Sequence, residues 1–311
     1  MFDLEDLQDH FSLCYQIRTT KVALLSANLN YVYRVIAADK DYVLKIYHSR
    51  LWTEDEVESE CRVAEFLKFN FIDVSLPIRS ATSKFASQLR HAGSNYTAAV
   101  FEYIKGTPMT SGNEKQLQQL GKIVARLHVA CDRCPFIDEI KRPTHNTRTL
   151  IARPIKTISD RFPLTAKQGA LLERVRRTLT RAICSLEPTP TAFGLCHGDI
   201  QPRHAIVQED EDIVLIDTEC IYLGWRLFDF ASLIRSTGGF GRNWNSFVAG
   251  YTSICPLGAH EMSLIPSFCI ARTLSEIEVM INHEQNNDSR MTHRRLLREF
   301  EFMDLLLHQH F

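Results

Sequence analysis

Residues 195–207 read LCHGDIQPRHAIV, and residues 214–219 read VLIDTE. The first stretch places a carboxylate, Asp199, in a loop and a potential metal ligand, His204, five residues further on. The second closes the apolar run Ile213–Ile216 on another carboxylate, Asp217. Transfer of a phosphoryl group needs these parts: a base or orienter for the attacking hydroxyl, and ligands that hold a divalent cation across the phosphates. A third piece, GWRLFDFA at 224–231, adds Asp229. A lone HGD says little, whereas three pieces in order and at close spacing form a specific pattern.

The chain upstream is strand-like. Lys21–Ala27 and Tyr31–Ala37 are rich in β-branched and aromatic residues, and the polar turn Asp39–Asp41 leads into Tyr42–Tyr47. Thr53, followed by Glu54, Asp55 and Glu56, has the composition of a helix N-terminus. Val57, Val63, Ala64, Phe66 and Leu67 continue it at helical spacing. Two further strands are expected near Val74–Ile78 and Ala98–Ile104, and Gly106 to Pro108 breaks the pattern. Downstream, Glu114–Val129 and Ala170–Leu186 are helical in period, a short strand pair lies within 204–217, and helices resume from Phe228. The expected class is α+β with segregated elements: a strand-rich unit at 1–105 and a helix-rich unit at 106–311.

The LCHGDIQPRH and IDTE segments resemble the aminoglycoside phosphotransferase and choline kinase-like family, whose catalytic loop runs approximately HGDLHPxN and whose metal motif runs IDWE or IDFG. The resemblance covers about residues 20–250 and implies a two-lobed protein-kinase-like fold. The N-lobe would be a small antiparallel sheet and the C-lobe mainly helical. It implies Asp199 as catalytic base or hydroxyl orienter and Asp217 as the main metal ligand. It implies His197 and Asp229 as a pair that braces the catalytic loop. Lys45, in YVLKI at 42–46, matches the strand lysine that meets nucleotide phosphates, and Glu60 matches the helix glutamate that pairs with it. Phe101, Glu102, Tyr103 and Ile104 match the hinge that receives the nucleobase, and Asn30 matches the end of the phosphate-covering loop. The implied co-substrate is ATP or GTP, with Mg²⁺.

Two positions depart from the family pattern. The phosphate loop reads SANLN at 26–30 where relatives often carry two glycines, which leaves the backbone less freedom to wrap phosphate. His204 stands where most members have Asn, although macrolide phosphotransferases also resemble the chain in having His there. An imidazole ligand would weaken metal binding when protonated and would favour Mn²⁺ relative to an all-oxygen set.

Composition narrows the partners. Hydrophobic residues make up 45% and charged residues 23%, the balance of a globular protein. The formal net charge of −1 gives no case for nucleic acid or for a membrane surface. The N-terminal MFDLEDLQDHF lacks the basic start and apolar core of a signal peptide, and nine scattered cysteines fit reduced thiols, so a cytoplasmic location is expected. His128, Cys131 and Cys134 suggest zinc, but no second ligand pair accompanies them. The basic stretch Lys141–Arg181 reads first as a solvated helix face and otherwise as attraction for an anionic partner such as an acidic peptide, a phosphorylated metabolite or RNA; it argues against a polycationic acceptor, and the acidic Glu299, Glu301 and Asp304 argue the other way. The expected activity is transfer of a γ-phosphate to a hydroxyl of a small molecule, antibiotic-like or metabolite. The alternatives are a Ser/Thr kinase for a protein or modified peptide, and a nucleotide-binding pseudokinase.

Overall fold

A computed structural model describes residues 2–48, 51–282 and 292–310. The chain forms two compact units: 1–109 with 134–142 and 203–219, and 110–133 with 143–202 and 220–311.

The first unit is built on an antiparallel sheet of order β1-β2-β3-β6-β4, with β5 also paired to β6. Its strands are β1 (Thr19–Ala27), β2 (Tyr31–Ala37), β3 (Asp41–Tyr47), β4 (Pro77–Ile78), β5 (Ser87–His91) and β6 (Ser94–Glu102). Period-2 alternation gives the sheet two apolar faces. Tyr42, Leu44 and Ile46 of β3 face one side, where helix α1 (Leu4–Tyr15) inserts Leu7, Phe11 and Tyr15. Tyr47, Ala99 and Phe101 face the other, against Val57 and Cys61 of helix α2 (Glu54–Phe69). Thr53 and Glu56 close a reciprocal capping box at the start of α2, as the acidic Thr53 turn predicts. The strand expected over 74–78 is shorter, because Val74 bridges in parallel to Leu215 instead of joining the main sheet. A separate sheet of order β10-β9-β7 uses β7 (Thr107–Pro108), β9 (Ala205–Val207) and β10 (Ile213–Leu215).

The second unit is helical apart from the hairpin-like pair β8 (Phe193–Cys196) and β11 (Tyr222–Trp225). Its helices are α3 (Glu114–Cys131), α4 (Arg153–Arg161), α5 (Ala166–Cys184), α6 (Leu227–Ser236), α7 (Arg242–Thr252), α8 (Ala259–Asn282) and α9 (His293–His310). The stripe Leu117, Leu120, Val124 and Leu127 is buried, as its helical spacing predicts. Helices α3 and α7 approach closely through glycine: a Cβ on Gly121 would overlap the Phe247 carbonyl oxygen, and one on Gly250 the Gln118 carbonyl oxygen. Among the described residues, no helix is long and apolar enough to cross a membrane.

Candidate active site

Lys45 lies on the α2-facing side of β3, paired in register with Ala99. It is 6% exposed. Its Nζ donates to Asp217 Oδ1 at 2.6 Å and forms a second, closer ion pair with Glu219. Sequence reasoning expects Glu60 as its partner. Instead, Glu60 accepts from the Tyr47 hydroxyl (3.0 Å) and the Thr218 hydroxyl (3.0 Å), and it acts on Lys45 through its charge. The difference arises because IDTE delivers two carboxylates, Asp217 and Glu219, to the ammonium. Asn30 adds to this arrangement: its Nδ2 donates to Glu219 at 2.5 Å, and its Oδ1 accepts from the His48 N–H at 2.9 Å.

The electrostatics of this cluster are lopsided. Burial alone would lower the Lys45 pKa, but Asp217, Glu219 and Glu60 outweigh it and hold the ammonium well above its usual range. Burial, reinforced by the charge of Asp217, pushes the Glu219 carboxyl up to about 7 against the pull of Lys45. One cation thus sits among three acids. Asp217 holds a left-handed backbone, φ 64°, a conformation uncommon among non-glycine residues but open to Asp.

His204 Nε2 lies 3.4 Å from Asp217 Oδ2 and accepts a hydrogen bond from Arg203 Nε at 3.1 Å. That nitrogen has a single lone pair, which Arg203 engages, so a cation beside Asp217 would compete with Arg203 for it. Excess carboxylate charge and an imidazole turned towards Asp217 are a donor set that a divalent cation satisfies.

The residues expected to form the hinge belong to the same unit. Glu102 N–H donates to the Leu76 carbonyl (2.8 Å), its own carbonyl accepts from Ser75 Oγ (2.8 Å), and Tyr103 N–H donates to the Asp41 carbonyl (3.2 Å). Phe101 is buried in the sheet. Among the described residues no hydrogen bond is made by the Ile104 N–H or carbonyl. Gly106 allows the chain to cross β9 closely, since its φ of 148° and contact with the Val207 carbonyl oxygen exclude a Cβ.

Asp199 belongs to the second unit. It is 8% exposed, and its Oδ1 accepts from Arg272 Nη2 at 2.6 Å and, at close range, from Gln201 Nε2. The turn before it depends on Gly198, whose φ is 86° and whose Cβ would overlap the Cys220 carbonyl oxygen. Asp229, near the start of α6, clamps this turn by accepting from the backbone N–H of His197 (3.0 Å) and of Gly198 (2.6 Å). The expected His197–Asp229 brace therefore runs through the His197 backbone. The side chain bonded to Asp229 is His128, with Nε2 at 3.0 Å. His197 instead accepts the Asp199 N–H on Nδ1 at 3.3 Å.

Burial keeps His128 below its usual pKa against the opposing pull of Asp229. The neutral ring then donates from Nε2 to Asp229 and accepts on Nδ1 from the Tyr251 hydroxyl, 3.0 Å away. Burial alone would raise the Asp229 pKa, and the hydrogen bonds and charges of its partners overcome that and hold it low. His128, Cys196 and Asp229 lie close enough to share a metal, and Cys131 and Cys134 are not in that group. Asp229 is already committed to two backbone donors and to His128, so the cluster serves as a brace for the loop.

From the sequence Glu219 can equally assist a metal or brace the loop, and it is given no role; Tyr47, Thr218, Tyr251, Gln201 and Arg272 are not singled out. Only Glu219 and Arg272 left a legible signal: the first as the second acid of IDTE, the second as a lone cation in the apolar run Ile265–Leu274.

The charge contrast read from the sequence is paired only in part. In the second unit Arg153 pairs with Glu278, Lys156 with Asp160, Arg176 with Glu173, Arg174 with Asp304, and Arg235 with Glu299.

The model of the phosphotransferase enzyme family matches residues 22–253. An uncharacterized protein of Synechocystis is 27% identical over 239 residues, covering 75% of this chain and 65% of that protein. Stress response kinase A of Salmonella typhi is 25% identical over 194 residues, covering 62% of this chain and 57% of that kinase. The matched region thus spans under two thirds of the length of either relative. Among solved structures, an amicoumacin kinase in complex with AMP-PNP, Ca²⁺ and Ami superposes with a TM-score of 0.81 at 19% identity, covering 99% of this chain and 94% of that one. The fold is thus the expected kinase-like one, an antiparallel sheet region followed by a helical region.

Proposed function

The chain belongs to the phosphotransferase enzyme family, and on that premise we propose that it transfers the γ-phosphate of ATP or GTP to a hydroxyl of a small molecule. The observation that carries this reading is the cluster of Asp217, Glu219 and Glu60 around one buried lysine. Such an excess of acid calls for a divalent cation, Mg²⁺ or Mn²⁺, held by Asp217 and His204. When bound, the cation supplies charge neutralisation across the phosphates. Lys45 then binds phosphate oxygens, with Asn30 at the end of the covering loop. The nucleobase is held at the hinge, Phe101 to Ile104, with the Ile104 backbone offering one donor and one acceptor. Asp199, fixed by Asp229 and by Arg272, orients the acceptor hydroxyl and takes its proton.

The local ion pairs of the 141–181 stretch reduce, but do not cancel, the charge that would attract an acidic peptide. The chemistry is that of a cytoplasmic enzyme supplied with nucleotide. The test is thermal denaturation with ATP or GTP and Mg²⁺ or Mn²⁺, on wild type and Asp217→Ala. A metal-dependent rise in Tm that vanishes in the variant is expected, since binding to the native state adds stability by mass action. A folded wild type that responds to no pair overturns the reading.

A further inference from the structure

Helix α8 carries one arginine, Arg272, inside the apolar run from Ile265 to Leu274. Its side chain is 13% exposed. A cation in such a place costs stability unless each of its donors finds a partner. Here every nitrogen does. Nη2 donates to Asp199 Oδ1 (2.6 Å), Nη1 to the Gly198 carbonyl (2.7 Å), and Nε to Glu276 Oε1 (2.8 Å). Glu276 is in turn held by Arg235 at 2.7 Å, and Arg235 by Glu299 at 3.0 Å. Charges thus alternate from the catalytic loop through α8 and α6 to α9. Burial alone would raise the Glu276 pKa, but Arg272 and Arg235 hold it low, so the relay stays ionised.

From this geometry we infer that Arg272 is a positioning residue for phosphoryl transfer: its fork fixes the Asp199 carboxylate and the Gly198 carbonyl as one rigid piece. The inference rests on the proposed role of Asp199. A guanidinium suits the task because its planar donors set an angle as well as a distance, which an ammonium cannot do. The two anchors differ in kind. Asp229 clamps the loop by its backbone N–H groups, and Arg272 aims the side chain that the loop presents.

Hydrolysis of Mg²⁺-ATP, with water standing in for the acceptor, provides the readout on the full chain. In Arg272→Gln, kcat should fall roughly 10- to 100-fold, the cost of losing a hydrogen bond to a charged group, with KM for ATP unchanged within about twofold. Arg272→Lys keeps the charge without the fork and should recover only part of kcat. Glu276→Gln leaves Arg272 charged but loosens its anchor, and should give a smaller fall in kcat with KM for ATP unchanged. Wild-type kcat in Arg272→Gln, alongside loss of turnover in Asp199→Asn, overturns the inference and leaves the role of Asp199 standing. An equal fall in kcat and rise in KM would mark a general structural role and also overturn it. Should wild type and Asp199→Asn hydrolyse equally, the role of Asp199 fails, and that of Arg272 with it.

Discussion

Each unit buries one cation against the acid assigned to the chemistry, and the two do it in opposite ways. In the sheet unit Lys45 is a single flexible ammonium outnumbered by Asp217, Glu219 and Glu60. In the helical unit Arg272 is a fork with three nitrogens on three acceptors, in a relay of two cations and three acids. The first arrangement leaves negative charge for an incoming cation to neutralise. The second is nearly balanced and has nothing to gain by rearranging. On the proposed function, the first cluster is completed by a ligand and the second stays as it folds.

The largest effect should come from separating the two acids. Asp199→Asn is expected to lower kcat by about 10³- to 10⁴-fold, the upper range for loss of a general base. It should leave the nucleotide-dependent rise in Tm intact. Loss of both together would mean that Asp199 also serves the nucleotide, and the division of labour between the units would break.

A second experiment sharpens the contrast between the cations. Lys45→Met strands three acids, and Arg272→Met strands Asp199 and Glu276. Removing one partner of a buried ion pair costs about 3–5 kcal/mol. In urea denaturation with EDTA both variants should lose stability of that order. Millimolar Mg²⁺ should restore part of it in Lys45→Met only, because only that cluster has donors turned towards a common space. Restoration in both variants, or in neither, would contradict the comparison.

The two sites also differed in how far they could be read from the sequence. The chain-local parts of each were legible: HGD at the catalytic turn, IDTE after an apolar strand, a lysine in an alternating strand, and an acid on a helix of the right period. The fold class followed from the same patterns of 2 and 3.6 residues. The partners brought in by tertiary packing were not legible. Glu60 has the spacing to meet Lys45, yet it is taken by Tyr47 and Thr218, and only register decides that. His128 looks like one end of a His–Cys motif, but the packing of α3 turns it to Asp229 instead. Arg272 lies 73 residues beyond Asp199, and nothing local links them. Helix α1 was also missed, although Leu7, Phe11 and Tyr15 recur at helical spacing behind the Asp3 cap.

The smallest effect concerns acid and the helical unit alone. His145 stacks on Tyr222 with ring centroids 3.7 Å apart and meets Phe228 edge-on at 4.6 Å. Its Nδ1 is buried without a hydrogen-bond partner. Burial, helped by the charges of Arg272 and Arg153 and opposed by Asp229, lowers its pKa from 6.5 to about 3. The folded form therefore refuses a proton that the unfolded chain accepts. Its contribution is fully present above pH 6.5 and is lost progressively as pH falls towards about 3. At pH 5 the loss amounts to about 2 kcal/mol at most, from 1.36 kcal/mol per pH unit. His128 acts in the same direction, since burial lowers it as well. In His145→Phe the ring stack survives and the titration is gone. The drop in unfolding free energy between pH 7.5 and pH 5 should shrink by that amount, and an unchanged drop would show that the acid sensitivity lies elsewhere.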